Sequence, residues 1–231
     1  MTTYRCASEG EAAERAFEVI RDCIQANPQS HLCLATGASP LGAYRRVAEE
    51  SLAGRLDASR VRITKLDEWI GIPMAHEASC ESYLRKEVLG PWSVPEAQYL
   101  AFDSEQDDQI FECRRIENRL ETLPPFDLCV LGVGSNGHLG LNEPANSLVM
   151  GPHIAELAPT TRYRPMLQGT VLTHGLTLGI GNILGSRRVL LIVMGASKQQ
   201  AWDYLQDGEV STQWPVSLLN MHDDVVVVST L

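Results

Sequence analysis

FDLCVLGVGSNGHLGLNEP, residues 126–144, decides how the rest of the chain is read. Its first half is a nearly unbroken apolar run of strand length, the pattern of a strand buried on both faces rather than one half-exposed to water. Its second half changes character at once: glycines alternate with Asn136, His138, Asn142 and Glu143. Polar groups concentrated this densely at the end of a buried strand point to a site of chemistry.

The same strand-like character recurs upstream in HLCLATG (31–37) and VRITKLDEW (61–69), and downstream in RRVLLIVMG (187–195) and VVVVST (225–230). Helical spacing lies between them. Ala13, Phe17, Ile20 and Ile24 form one apolar stripe, and Leu41, Tyr44, Val47 and Ala48 form another behind Ser39-Pro40, a candidate N-cap and first helical residue. Apolar strands alternating with helices predict an α/β fold with a parallel sheet covered on both faces, which binds ligands at the carboxyl ends of its strands. A length of 231 residues without a linker or internal repeat predicts one domain over 1–231.

The bulk properties exclude several function classes. A net charge of -10 repels polyanions, so neither nucleic acid nor an acidic membrane is expected as a partner, although a small anion can still be held by a few N–H groups and a cation. Cys6, Cys23, Cys33, Cys80, Cys113 and Cys129 are scattered without metal-ligand spacing, so they read as free thiols with no metal site. With no apolar leader in MTTYRCASEG and no membrane-length run, the expected compartment is the cytoplasm.

Each strand end carries a candidate element. Thr36, Gly37, Ala38 and Ser39 join a strand to a helix N-terminus, where unpaired N–H groups suit a phosphate; the alternative is a turn with a capping serine. Lys198 in GASK (195–198) begins another helix and can meet the same anion, or be a solvated lysine. Asp67 and Glu68 close the second strand, and one of them is expected to face the cleft as a base; the alternative is a pair engaged with Lys65 or Arg62. His138 lies five residues before Glu143, a carboxylate able to orient an imidazole and keep it basic. Residues 132–137 also satisfy GxGxxG with Glu156 downstream, but Asn142-Glu143-Pro144 would break the helix a dinucleotide site requires. No cofactor is expected.

Taken together, LATGASPLGAY, KLDEWIG, GVGSNGHLGLNEP and GASK resemble the glucosamine-6-phosphate deaminase/isomerase family in order and spacing over nearly the whole chain. The pairing of KLDEW with GxNGHxGxNEP is the specific part, and NEP distinguishes this group from the related 6-phosphogluconolactonases. The CES at Cys80 to Ser82, with DLCVLG and the VST near the end, looks more like the galactosamine-6-phosphate branch. The resemblance implies a three-layer αβα Rossmann-like fold. It implies that Asp67 moves a proton between C2 and C1 of a ring-opened amino sugar. His138 would serve ring opening, oriented by Asn136 and Glu143, while Gly37 to Ser39 and Lys198 hold the phosphate. Thr36, Glu68, Gly134 and Gly137 are the further substrate-binding candidates.

One departure concerns the phosphate. Glucosamine enzymes carry an arginine after the third motif, where this chain reads TTRYRPMLQG with Leu167 near the expected position; Arg164, or else Arg162, is the expected substitute. The short C-terminus lacks the tail of the allosteric hexamers, so a monomer or small homo-oligomer without inherited regulation is expected. The expected reaction is galactosamine 6-phosphate to tagatose 6-phosphate and ammonia. Its rivals are glucosamine 6-phosphate as substrate, lactone hydrolysis, and a non-catalytic sugar-phosphate sensor.

Overall fold

The computed structural model describes residues 1–162 and 171–231. A seven-stranded sheet runs in the order β1 (Thr2–Arg5), β10 (Val225–Ser229), β9 (Val189–Val193), β6 (Leu128–Gly132), β2 (His31–Leu34), β3 (Arg62–Lys65), β5 (Tyr99–Leu100). Every pairing in it is parallel. Alternate residues of the central strands enter opposite cores. Leu32, Leu34, Leu128, Val130, Leu190 and Ile192 pack under α1 (Glu9–Ala26) and α2 (Ala38–Leu52). Cys33, Cys129, Leu131, Leu191 and Val193 pack on the other side, under α4 (Gln109–Glu121), α6 (Ile180–Leu184) and α7 (Gln199–Asp207). The result is the expected three-layer αβα fold, since strands buried on both faces must be apolar at every position.

The strand order fixes where a ligand can sit. From β2 the chain moves to β3 and β5 on one side, then returns to β6 and continues to β9 and β10 on the other. The direction therefore reverses between β2 and β6, and at that switch point adjacent connections leave the sheet on opposite faces and open a crevice. HLCLATG and FDLCVLGVG, the two segments that end in glycine-rich turns, are the two strands flanking it.

Several local expectations are corrected. VRITKLDEW is not one strand: β3 ends at Lys65, and β4 (Asp67–Ile70) pairs antiparallel with β8 (His174–Thr177) in a separate sheet of order β4-β8-β7, where β7 is His153–Glu156. Leu66 links the two sheets, its N–H donating to Leu34 O and its carbonyl accepting from Leu178 N. Ser39 is not the N-cap of α2. Gly37 is, at φ 108°, a left-handed conformation that glycine adopts without strain. The exposed edge strand β1 and the two-residue β5 carry too little apolar pattern to be read from sequence.

The sheet change is anchored by a buried charge cluster. Lys65 is fully buried, and its Nζ donates to Glu68 Oε2 at 2.7 Å and to Glu81 Oε2 at 2.8 Å. Glu68 in turn accepts the backbone N–H groups of Trp69, Cys80 and Glu81, tying β4 to α3 (Cys80–Leu84). Burial alone would lower the Lys65 ammonium, but the two carboxylates raise it above its ordinary value, so it stays charged. A buried pair broken on one side leaves an uncompensated charge, so Lys65→Met is expected to cost about 3–5 kcal/mol. Urea unfolding measures this, and a loss below about 1 kcal/mol would show that the carboxylates do not depend on the lysine.

Candidate functional site

A cleft of about 690 Å³ opens over the crevice between β2 and β6. Its lining includes Thr36 to Ser39 from the β2–α2 turn, Asp67 and Trp69 from β4, and Gly132 to Ser135 with His138 from the β6 turn. Thr160, Thr161 and Lys198 complete that side of the wall. Segments far apart in sequence thus meet because each follows a strand of one parallel sheet.

The first turn of α2 is the element suited to an anion. No side chain caps it, so the N–H groups following Gly37 open toward the cleft, where a helix N-terminus favours negative charge. Tyr83 closes one side, its hydroxyl donating to Gly37 O at 2.7 Å. Lys198 lines the same cleft from the turn after β9. The Thr36 hydroxyl is engaged locally, donating to Cys80 Sγ at 3.3 Å.

His138 is held in a hydrogen-bonded cage. Its Nδ1 lies 3.2 Å from Glu143 Oε2 and 3.3 Å from Thr161 Oγ1, and Asn136 Nδ2 donates to the same Glu143 oxygen at 2.7 Å. Gly134 lies under the imidazole; a Cβ there would run into the ring. Burial alone would raise the Glu143 carboxyl, but the bonds and charge of His138, with Thr161 and Asn136, outweigh it and hold the group at about 2. Glu143 is therefore ionised throughout the working range, and an anion at Nδ1 keeps the proton on that nitrogen and leaves Nε2 for the cleft. Thr161, buried in the short α5 (Pro159–Arg162), is the member of this cage that sequence reading missed. Its only signal was a hydroxyl pair after a proline.

Asp67 is 8% exposed and faces the cleft, while Glu68 is fully buried and turned to Lys65. Glu68 is thus corrected from a substrate contact to a structural anchor, since the two neighbours on a strand project to opposite faces. Gly137 is also placed away from the cleft. At φ 81° it turns the loop against Trp214, and its carbonyl accepts from Val216 N. No helix opens after it, so the GxGxxG match lacks the geometry of a dinucleotide site. Asn142 serves the loop, donating to Leu139 O and Leu178 O. Arg162 is committed to Leu157 O and Glu156, and Arg164, with Leu167, lies outside the described residues. Among the described residues no three His, Cys, Asp or Glu side chains group as a metal site, and no helix is long and apolar enough to cross a membrane.

Known proteins share this architecture over the whole chain. The model of the glucosamine-6-phosphate isomerases/6-phosphogluconolactonase family matches residues 6–228. AgaI of Escherichia coli (strain K12), named as a deaminase, is 40% identical over 93% of this chain and 86% of its own length. The glucosamine-6-phosphate deaminase of Geobacillus sp. (strain WCH70) is 33% identical over 99% and 93%. The solved structure of a monomeric glucosamine-6-phosphate deaminase superposes with a TM-score of 0.94 at 32% identity, covering 99% of this chain and 97% of that one. The 6-phosphogluconolactonase of Thermotoga maritima shares the fold at a TM-score of 0.77 and 17% identity, over 99% and 98%. On this match of sequence, motif order and fold, the chain belongs to the glucosamine-6-phosphate isomerase/6-phosphogluconolactonase family.

Proposed function

We propose that the protein converts an amino-sugar 6-phosphate and water into a ketose 6-phosphate and ammonia, and that its preferred substrate is galactosamine 6-phosphate. The observation that carries this reading is that a carboxylate, an oriented histidine and an open helix N-terminus with a lysine beside it line one cleft. Relatives named as deaminases support the class of reaction.

The chemistry needs few groups. The phosphate rests on the first turn of α2 and Lys198, fixing the far end of the sugar. His138 Nε2 exchanges the proton of the ring oxygen, so the ring opens to the aldehyde. Asp67 removes the proton from C2, giving an enolamine, and returns it to C1. That leaves an imine at C2; water adds there, the C–N bond breaks, and nitrogen departs as ammonia. One base can serve two adjacent carbons, so the isomerisation asks for one carboxylate. A lactone hydrolase has no use for a base at C2.

Three measurements test the reading. Replacing the base, Asp67→Asn is expected to lower kcat by about 10²–10⁴-fold with KM little changed; a near-wild-type rate removes Asp67 as the base. Ammonia release, followed with chelator present, is expected to be faster from galactosamine 6-phosphate than from glucosamine 6-phosphate. The reverse preference keeps the reaction and discards the epimer, whereas release from neither, with lactone hydrolysis instead, overturns the proposal. The third concerns acid. Glu143 titrates at about 2 in the fold against an ordinary 4.5, so its stabilisation is complete above 4.5 and drains away as pH falls toward 2. The stability gap between wild type and Glu143→Gln is therefore expected to close over that window, and a gap independent of pH would refute the ionised cage.

A further inference from the structure

Asp67 has a neighbour that the reaction scheme leaves without a task. Cys80 begins α3, is 2% exposed, and places its Sγ 3.6 Å from Asp67 Oδ1, while the Thr36 hydroxyl donates to the same sulfur at 3.3 Å. We propose that Cys80 is a positioning residue for the base: its thiol donates to Asp67 and is itself oriented by Thr36, fixing the direction of the carboxylate in the cleft. The proposal rests on Asp67 being the base.

The geometry is directional. Thr36 Oγ1 donates to sulfur, so the thiol proton points away from it, toward Asp67. Burial first, then the charges of Glu68 and Asp67, push the Cys80 thiol up, so it stays protonated and serves as a donor. Its backbone is fixed independently, because Cys80 N–H donates to Glu68 Oε1 at 3.0 Å. Asp67 and Glu68 thus grip the same helical turn, Asp67 through a side chain and Glu68 through the main chain. The antiparallel pairing of Asp67 with Thr177 fixes the backbone of β4 but leaves the carboxylate torsion open. A thiol is a long donor, able to select that torsion and to stabilise the ionised carboxylate modestly.

Other titratable groups surround Asp67. Cys33 on β2 and Tyr44 on α2 both feel its charge from below, Lys65 and Glu68 face each other on the far side of β4, and His138, Lys198, Glu77 and Tyr83 line the cleft. Among these surroundings, Cys80 holds a hydrogen bond to the carboxylate through its side chain.

The test compares wild type, Cys80→Ala, Cys80→Ser and Asp67→Asn in one ammonia-release assay across pH. Removing a donor to the ionised form raises the carboxylate's pKa, so in Cys80→Ala the acidic limb of kcat is expected to move up by about one pH unit, with kcat about ten-fold lower and KM within about two-fold. Cys80→Ser, which keeps a donor, is expected to recover most of both effects. An unchanged pH profile and kcat in Cys80→Ala, with Asp67→Asn inactive, overturns the positioning role and leaves the base in place; an active Asp67→Asn overturns the base itself. Should Cys80→Ala not fold, the infrared S–H stretch decides. It is expected to move to higher wavenumber when Asp67→Asn replaces the carboxylate in the wild-type background, and an unmoved band overturns the proposal.

Discussion

A lysine ammonium sealed from water at the end of a parallel strand constrains everything around it. Lys65 is held by Glu68 three residues later and by Glu81 from the next helix, and each carboxylate has further donors. An isolated buried charge would be expelled or neutralised, so the lysine compels both carboxylates to converge on it. For Glu68 to turn inward, its neighbour Asp67 must turn outward, since successive strand residues alternate. The residue that faces the cleft is thereby decided by the residue that does not.

The same cluster explains why the chain leaves the parallel sheet where it does. Leu66 spends its N–H on β2 and its carbonyl on Leu178, so one residue belongs to both sheets. Asp67 is the first residue beyond that junction, at the carboxyl edge of the parallel sheet and beside its switch point. Its mount is a paired strand rather than a surface loop, which suits the proposed transfer of a proton between two adjacent carbons. The proposed phosphate element is likewise mounted on regular structure, a helix opened by Gly37 and flanked by Tyr83. The overall acidity of the chain does not oppose this, because the favourable field at a helix terminus is local and falls off within a turn.

Most of the architecture was legible because strands buried on both faces advertise themselves. HLCLATG, FDLCVLGVG, RRVLLIVMG and VVVVST became β2, β6, β9 and β10 with little shift in bounds. The small sheet was not legible: β7 and β8 carry no strong period, and the break at Leu66 lies inside a continuous apolar-polar pattern that reads as one strand. The same break hid the division of labour between Asp67 and Glu68, since spacing alone cannot tell which of two adjacent acids meets a buried lysine, although Lys65 had stood as an alternative partner. Thr161 and Cys80 were illegible as site neighbours for a different reason. Their contacts to His138 and Asp67 span 23 and 13 residues and rest on tertiary packing that no local pattern records.

The two carboxylates nearest the chemistry sit in opposed environments, and the contrast argues for their different tasks. Glu143 receives His138, Asn136 and Thr161 around one partly buried group and is held at about 2, far too acidic to carry a proton at neutral pH. Such a group can only remain charged, which suits it to orient an imidazole and stabilise it when protonated. Asp67 sits at the cleft with the Cys80 thiol donating to its carboxylate. Where two acids in one site have different surroundings, the one held ionised suits an electrostatic partner, and the one turned to the cleft suits the proposed exchange of protons. The proposed division of roles therefore follows from how each carboxylate is mounted: the buried lysine's hold on Glu68 turns Asp67 to the cleft, and the glycine-rich turn sets Glu143 beside His138.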